Sequence, residues 1–165
     1  MKKTIVSLML LLPLCLAAQE IKIAFVNTNN VFDDMPEVSD MENKIASMRK
    51  QMEDFLLALQ KDYQTKYSEF MAKQDSLPEN IRTMYIQEIN ELQTRYQNYY
   101  EASDREIQQK AEELIIPIRD KMQKAIDQVG EENGYTYIIN PEALLFRSKS
   151  AIDATDKVRA KLGLN

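Results

Sequence analysis

No histidine and no tryptophan occur in the 165 residues, and the chain has one cysteine and three glycines. Serine or cysteine nucleophile chemistry therefore has no imidazole to support it. The glycines, Gly130, Gly134 and Gly163, cannot make a phosphate-cradling loop, and nucleotide-driven work is not expected. No catalytic residue, cofactor or metal site is therefore expected. The carboxylate pairs Asp33-Asp34, Glu112-Glu113 and Glu131-Glu132 could in principle attract a hard cation. However, adjacent residues on a helix point to different sides, so they read as solvated surface.

The only long apolar run, Ile5 to Leu16, follows Lys2 and Lys3 and precedes the small residues Ala17 and Ala18. That order is a secretory signal peptide, 1–18, cleaved near Ala18, and the run is too short to span a bilayer as a helix. Cys15 stands where a lipidated cysteine could, but Leu14 before it is bulky where that signal needs a small side chain, which favours soluble export. Removing the segment removes the only cysteine, so the mature chain can form no disulfide and must be stabilised by packing alone.

Without Lys2 and Lys3 the mature chain carries 19 bases against 26 acids, and residues 37 to 116 hold 16 acids and 10 bases. An anionic surface lacks the basic footprint of a nucleic-acid binder and is not drawn to anionic lipid headgroups. Neither nucleic acid nor stable membrane insertion is expected.

What is present in quantity is helix. Apolar residues recur in steps of three and four at Val38, Met41, Ile45, Met48, Met52, Phe55 and Leu59. They recur again from Ile81 through Tyr85, Ile89, Leu92, Tyr96, Tyr99, Ser103, Ile107, Ala111, Leu114, Ile118, Met122 and Ala125 to Val129. Between the stripes lies Asp75-Ser76-Leu77-Pro78-Glu79, where Ser76 and Glu79 have the spacing of a reciprocal capping box. The spacing predicts an antiparallel coiled-coil hairpin. Its first helix, Glu37 to about Gln74, would be roughly 55 Å long and must lie along a partner. The second stripe averages about 3.7 residues per step, so a nearly straight pair is expected. A tip between Ser76 and Leu77 sets Pro36 opposite Pro117. Pro36 opens a helix at no cost, whereas Pro117 removes a backbone hydrogen bond inside one, so both read as a hinge at the base of an arm spanning 36–117.

The remaining segments, 19–35 and 118–165, make a small α+β body of 65 residues. Ile21 to Val26 alternates as a strand, and Asn27 to Met35 reads as a short helical turn capped by Thr28, with Val31 and Phe32 packed inward. Gly134 ends the long helix, Tyr135 to Asn140 and Ala143 to Arg147 read as strands, and a last helix starts at Asp153 and carries Val158 and Leu162 on one face. A core of this size is marginal and its sheet edges invite pairing, so self-association is expected, through residues such as Ile23, Phe25, Tyr137, Ile139 and Leu145.

Beyond the two stripes the arm carries surplus soft and aromatic side chains: Leu57, Tyr63, Tyr67, Met71, Met84, Ile86 and Tyr100. Flexible Met and amphipathic Tyr suit a surface that accepts many partners, and Leu57, Tyr67, Met71, Met84, Ile86 and Tyr100 are the candidates for partner binding.

Three stretches carry a family resemblance: Ile23-Ala24-Phe25-Val26-Asn27 with Val31-Phe32 behind it, Gly134-Tyr-Thr-Tyr-Ile-Ile-Asn140, and Asp153 to Gly163. With the signal peptide before them they resemble the Skp (OmpH) family of periplasmic chaperones. The resemblance implies a homotrimer whose strands join in a small barrel. From that barrel three tentacle-like hairpins surround a cavity that holds unfolded outer-membrane proteins, without ATP, until delivery. The best known members have basic arms, whereas this arm is acidic, so no lipopolysaccharide site is carried over. The reading that competes with a chaperone is a structural coiled-coil protein of the envelope, a spacer or adhesion stalk.

Overall fold

The computed structural model describes residues 21–164, so the signal segment, Cys15 and the cleavage point lie outside the described residues. Two long helices dominate: α2, Pro36–Lys73, and α3, Glu79–Asn133. Around their base lie β1 (Ile23–Phe25), α1 (Thr28–Asp33), β2 (Tyr137–Ile139), a 3-10 turn (Pro141–Ala143), β3 (Ile152–Asp153) and α4 (Thr155–Leu162). The architecture is the expected one, a helical hairpin inserted into a small body with a sheet.

The hairpin seam follows the apolar stripes. Leu59, Ile89, Ile107 and Ile118 are buried along it, and Phe55 packs on Tyr99 with ring centroids 4.2 Å apart. Nearer the tip Phe70 lies 6.0 Å from Tyr85, and Lys66 pairs with Glu88 at 2.8 Å. These pairs set a register displaced by a residue or two from one that would put Pro36 opposite Pro117. Leu56 is also buried, an addition the stripe did not contain, while Tyr96, a member of the stripe, is exposed.

At the tip the expected capping box does not form. Pro78, with φ −57 and ψ 149, is the residue before α3, so Glu79 becomes its first residue rather than its third. Ser76 instead donates its hydroxyl hydrogen to the Lys73 carbonyl at the end of α2, and Glu79 pairs with Arg82, whose guanidinium donates to the Gln74 carbonyl.

The three strands are parallel, in the order β2-β1-β3, with Ile23, Ala24 and Phe25 beside Tyr137, Ile138 and Ile139. The third strand differs from expectation. Asn140 accepts a hydrogen bond from the Glu142 amide and Pro141 starts the 3-10 turn, so Ala143 to Arg147 does not form a strand; Ile152–Asp153 pairs with β1 instead. Two caps also move. Asn27, not Thr28, caps α1 by accepting from the Asn30 amide, and Asp153 belongs to β3, leaving Ala154 before α4.

The body's core is made of small side chains. Ala24 on the inner face of β1 and Val26 just after it meet Val31, Ala125, Val129, Ala154 and Val158, all 5% exposed or less. A second cluster of Met35, Val38 and Ile118, joined by Phe32, lies where the arm begins, and Met122, Leu162 and Leu164 bridge the two. Gly134, at φ 62, closes α3 as expected of a left-handed terminal residue, and the amide of Tyr135 donates back to the Gly130 carbonyl.

Candidate functional site

Two surfaces hold the sequence-predicted residues. On the arm, all six client-binding candidates are exposed, from Ile86 at 45% to Leu57 at 66%. Their apolar atoms face water because the seam is already occupied by the two regular stripes, and helical spacing leaves each candidate outside it. Tyr67 stacks on the half-buried Tyr63 with centroids 6.0 Å apart, and Met71 follows one turn later. On α3, Ile86 and Tyr100 are separated by a near-whole number of turns, while Met84, two residues from Ile86, points to another side. The six are thus distributed along the arm and do not form one patch.

The second surface is the outer face of the sheet. Alternation along β1 and β2 puts Ala24 and Ile138 inward and Ile23, Phe25, Tyr137 and Ile139 outward. Ile23 is 48% and Tyr137 58% exposed, Ile139 is half-buried, and Phe25 is covered by the Arg147 guanidinium, 4.1 Å from its ring centre. Leu145 projects fully, with Phe146 beside it almost as bare. Periodicity missed Ile116, which is 58% exposed on the arm, as well as Tyr96 and Phe146. The signal for Ile116 was present, since it lies two residues past the stripe position Leu114 and so faces away from the seam.

At the base, α3 runs unbroken through Pro117, and Pro36 is the first residue of α2. Met41, Leu114, Pro117 and Ile118 line a groove of about 400 Å³ there, with the Glu37–Lys121 ion pair on its rim. Hydrogen bonding from Lys121 holds the Glu37 carboxyl below its ordinary range. Lys110, 2.7 Å away, does the same to Glu113, and the hydrogen bond to Glu88 raises Lys66 above the usual ammonium value. In each doublet of acids one member is paired with a cation: Asp34 with Arg159, Glu113 with Lys110, and Glu132 with Lys161 at 2.5 Å. Among the described residues no helix is long and apolar enough to cross a membrane.

Comparisons with known proteins agree on one family. The family described as outer membrane protein (OmpH-like) matches residues 22–162. The chaperone protein Skp of Yersinia enterocolitica is 23% identical over 144 residues, which cover 87% of this chain and 88% of that one. Among solved structures, an OmpH-like outer membrane chaperone from Caulobacter crescentus CB15 superposes with a TM-score of 0.75 at 12% identity, covering 85% of this chain and 82% of its own. That likeness fixes the fold.

Proposed function

The chain belongs to the OmpH-like outer membrane protein family, and from that premise we propose that it is an ATP-independent holdase of the periplasm, exported after cleavage near Ala18. It binds unfolded outer-membrane β-barrel proteins between the arms of a homotrimer and keeps them from aggregating before insertion. The observation that carries the reading is the arm itself, with Leu57, Tyr67, Met71, Met84, Ile86 and Tyr100 standing in solvent on a scaffold whose own seam is complete.

Dispersed soft contacts suit a holder. Methionine and tyrosine adapt to many shapes, and several weak contacts from linked arms retain a client while each one releases quickly. Such a protein lowers the free concentration of unfolded chains without an energy source, and folding elsewhere draws the client away.

Assembly is supported by the sheet. All-parallel sheets are normally covered on both faces, yet here the outer face presents Ile23 and Tyr137 to water, with Leu145 and Phe146 nearby. The 65-residue body is small for a single core, and joining copies of this face would cover the apolar surface. In this reading 19–35 and 118–165 form the oligomerisation body, 36–117 the arm, and Pro36 and Pro117 the hinge between them.

The test is retention of a urea-denatured β-barrel membrane protein after dilution, followed by light scattering. The mature protein suppresses aggregation at near-stoichiometric ratio. Changing Leu57, Met71, Ile86 and Tyr100 together to serine removes most of that effect while the helical circular dichroism is unchanged. Equal scattering with and without the mature protein would reject the holdase and favour a structural stalk.

A further inference from the structure

Halfway along the arm the surface changes character. A groove of about 440 Å³ between α2 and α3 is lined by Gln60, Gln64, Gln93 and Gln97 together with Tyr63 and Tyr96. Its floor is Leu59 and Leu92, and no charged side chain lines it, although the arm around it carries 16 acids and 10 bases. Gln93 donates its amide hydrogen to the Tyr63 hydroxyl at 3.1 Å, which orients that side chain and leaves its carbonyl oxygen to accept from elsewhere. Gln60, Gln64 and Gln97 are exposed and make no side-chain hydrogen bond among the described residues.

We propose that this groove binds an extended, uncharged stretch of unfolded polypeptide by its backbone, the glutamine amides pairing with peptide groups. The inference rests on the reading of the arm as a holder of unfolded chains and names how one part of it recognises them. Two arguments carry it. The first is spacing. Gln60 and Gln64, like Gln93 and Gln97, are four residues apart on their helices, about 6 Å along the axis. Backbone groups on one side of an extended chain recur every two residues, at about 6.6 Å, so successive amides on either wall meet successive peptide groups. The second is chemistry. A carboxamide both donates and accepts, as a peptide group does, and it asks nothing of the client's charge. An arm of net negative charge repels acidic segments over most of its length, and this neutral window is where a segment without charge meets matched polar groups over an apolar floor. Tyr63 and Tyr96 add flat surfaces for whatever side chains pass over them.

The experiment uses the full mature protein and a fluorescent ten-residue peptide of alternating threonine and valine, with a counterpart methylated at every second backbone nitrogen. A groove variant carries Gln60→Glu, Gln64→Glu and Gln97→Glu. A control carries Gln51→Glu, Gln109→Glu and Gln128→Glu, the same added charge at exposed helical positions elsewhere, and melting curves check that both fold as the parent does. By anisotropy the parent and the control bind the peptide alike. The groove variant binds it about tenfold more weakly, and the parent loses a similar factor for the methylated peptide. Equal binding of the two peptides by the parent, or of the peptide by the groove variant and the control, overturns the proposal. So does displacement of the peptide by a chito-oligosaccharide, which makes the groove a glycan site. Retention of a denatured barrel protein is measured on the same three proteins. If all hold it while the peptide ignores the groove, the inference falls and the holdase stands. If none holds it but peptide binding still depends on the groove, the holdase falls and the inference survives.

Discussion

The body and the arm use apolar residues in opposite ways. In the body, Val26, Val31 and Val158 have no exposed surface at all, and their cluster joins β1 and α1 to α3 and α4, segments about a hundred positions or more from the first two. In the arm, contacts run between two neighbouring helices, the buried set is sparse, and large side chains such as Leu57 and Tyr100 are left in water. A core built of alanine and valine packs closely but buries little area per residue, so it tolerates little loss. A two-helix arm has little interior beyond its seam, so most extra apolar residues become surface, Leu56 being an exception. Apolar residues therefore produce a closed core at one end and exposed apolar surface at the other.

The sharpest way to break this contrast is to charge the body's core. Val129→Asp puts a carboxylate at a position 1% exposed with no cation in the cluster to meet it, at a cost of more than about 4 kcal/mol. A body this small should then fail to fold, seen as loss of amide-exchange protection in β1. Within the arm, two leucines on the same helix separate the roles. Leu59→Ala, at 4% exposure, should cost about 2–4 kcal/mol, whereas Leu57→Ala, at 66%, should change the unfolding free energy from denaturant titration by less than about 0.5 kcal/mol.

The two glycines at the end of α3 sharpen the comparison further. Gly134→Ala forces a side chain into a backbone with φ +62 and should cost about 1 kcal/mol. Gly130→Ala adds a methyl group in ordinary contact with Ile138, 3.5 Å away, and gains helix propensity, so it should be neutral or slightly stabilising. Thermal melts should show Gly134→Ala melting below the parent and Gly130→Ala at or slightly above it.

A small, pH-dependent effect is expected where body and arm meet. Lys121 lowers the Glu37 pKa, so this pair contributes stability that is fully present above the ordinary carboxylate range and is lost as pH falls through the lowered value. Both side chains are more than a third exposed, at 39% and 47%, so solvent screens them and the contribution stays below about 1 kcal/mol. Glu37→Gln should flatten the acid limb of a stability curve below about pH 4.5 and leave the neutral region little changed.

The hairpin was legible because its signal is local and repeated: the stripes from Val38 to Leu59 and from Ile81 to Val129 are each set by helical period alone. The details that were not legible depend on one proline or on a distant neighbour. Pro78 displaced the start of α3 and cancelled the capping box at Ser76 and Glu79. The strand expected at Ala143 to Arg147 had the composition of a strand but nothing to pair with, because β1 already had Ile152–Asp153 on that edge. Among the candidate site residues, exposure of the surplus side chains could be read from their positions outside the stripes. The glutamine-lined groove could not, because its two walls are thirty residues apart and join only when the helices fold back on each other.

The sequence alone determined that two long amphipathic helices must pair, that Gly134 ends the second, and that no imidazole serves any chemistry, because each of these follows from neighbouring residues or from composition. Only the tertiary structure decided that the sheet is parallel with Ile23 and Tyr137 exposed on its outer face, and which side chains of the arm gather across the seam. Strand partners and helix register depend on contacts between distant segments, and local spacing carries no information about which of several equally apolar segments will meet.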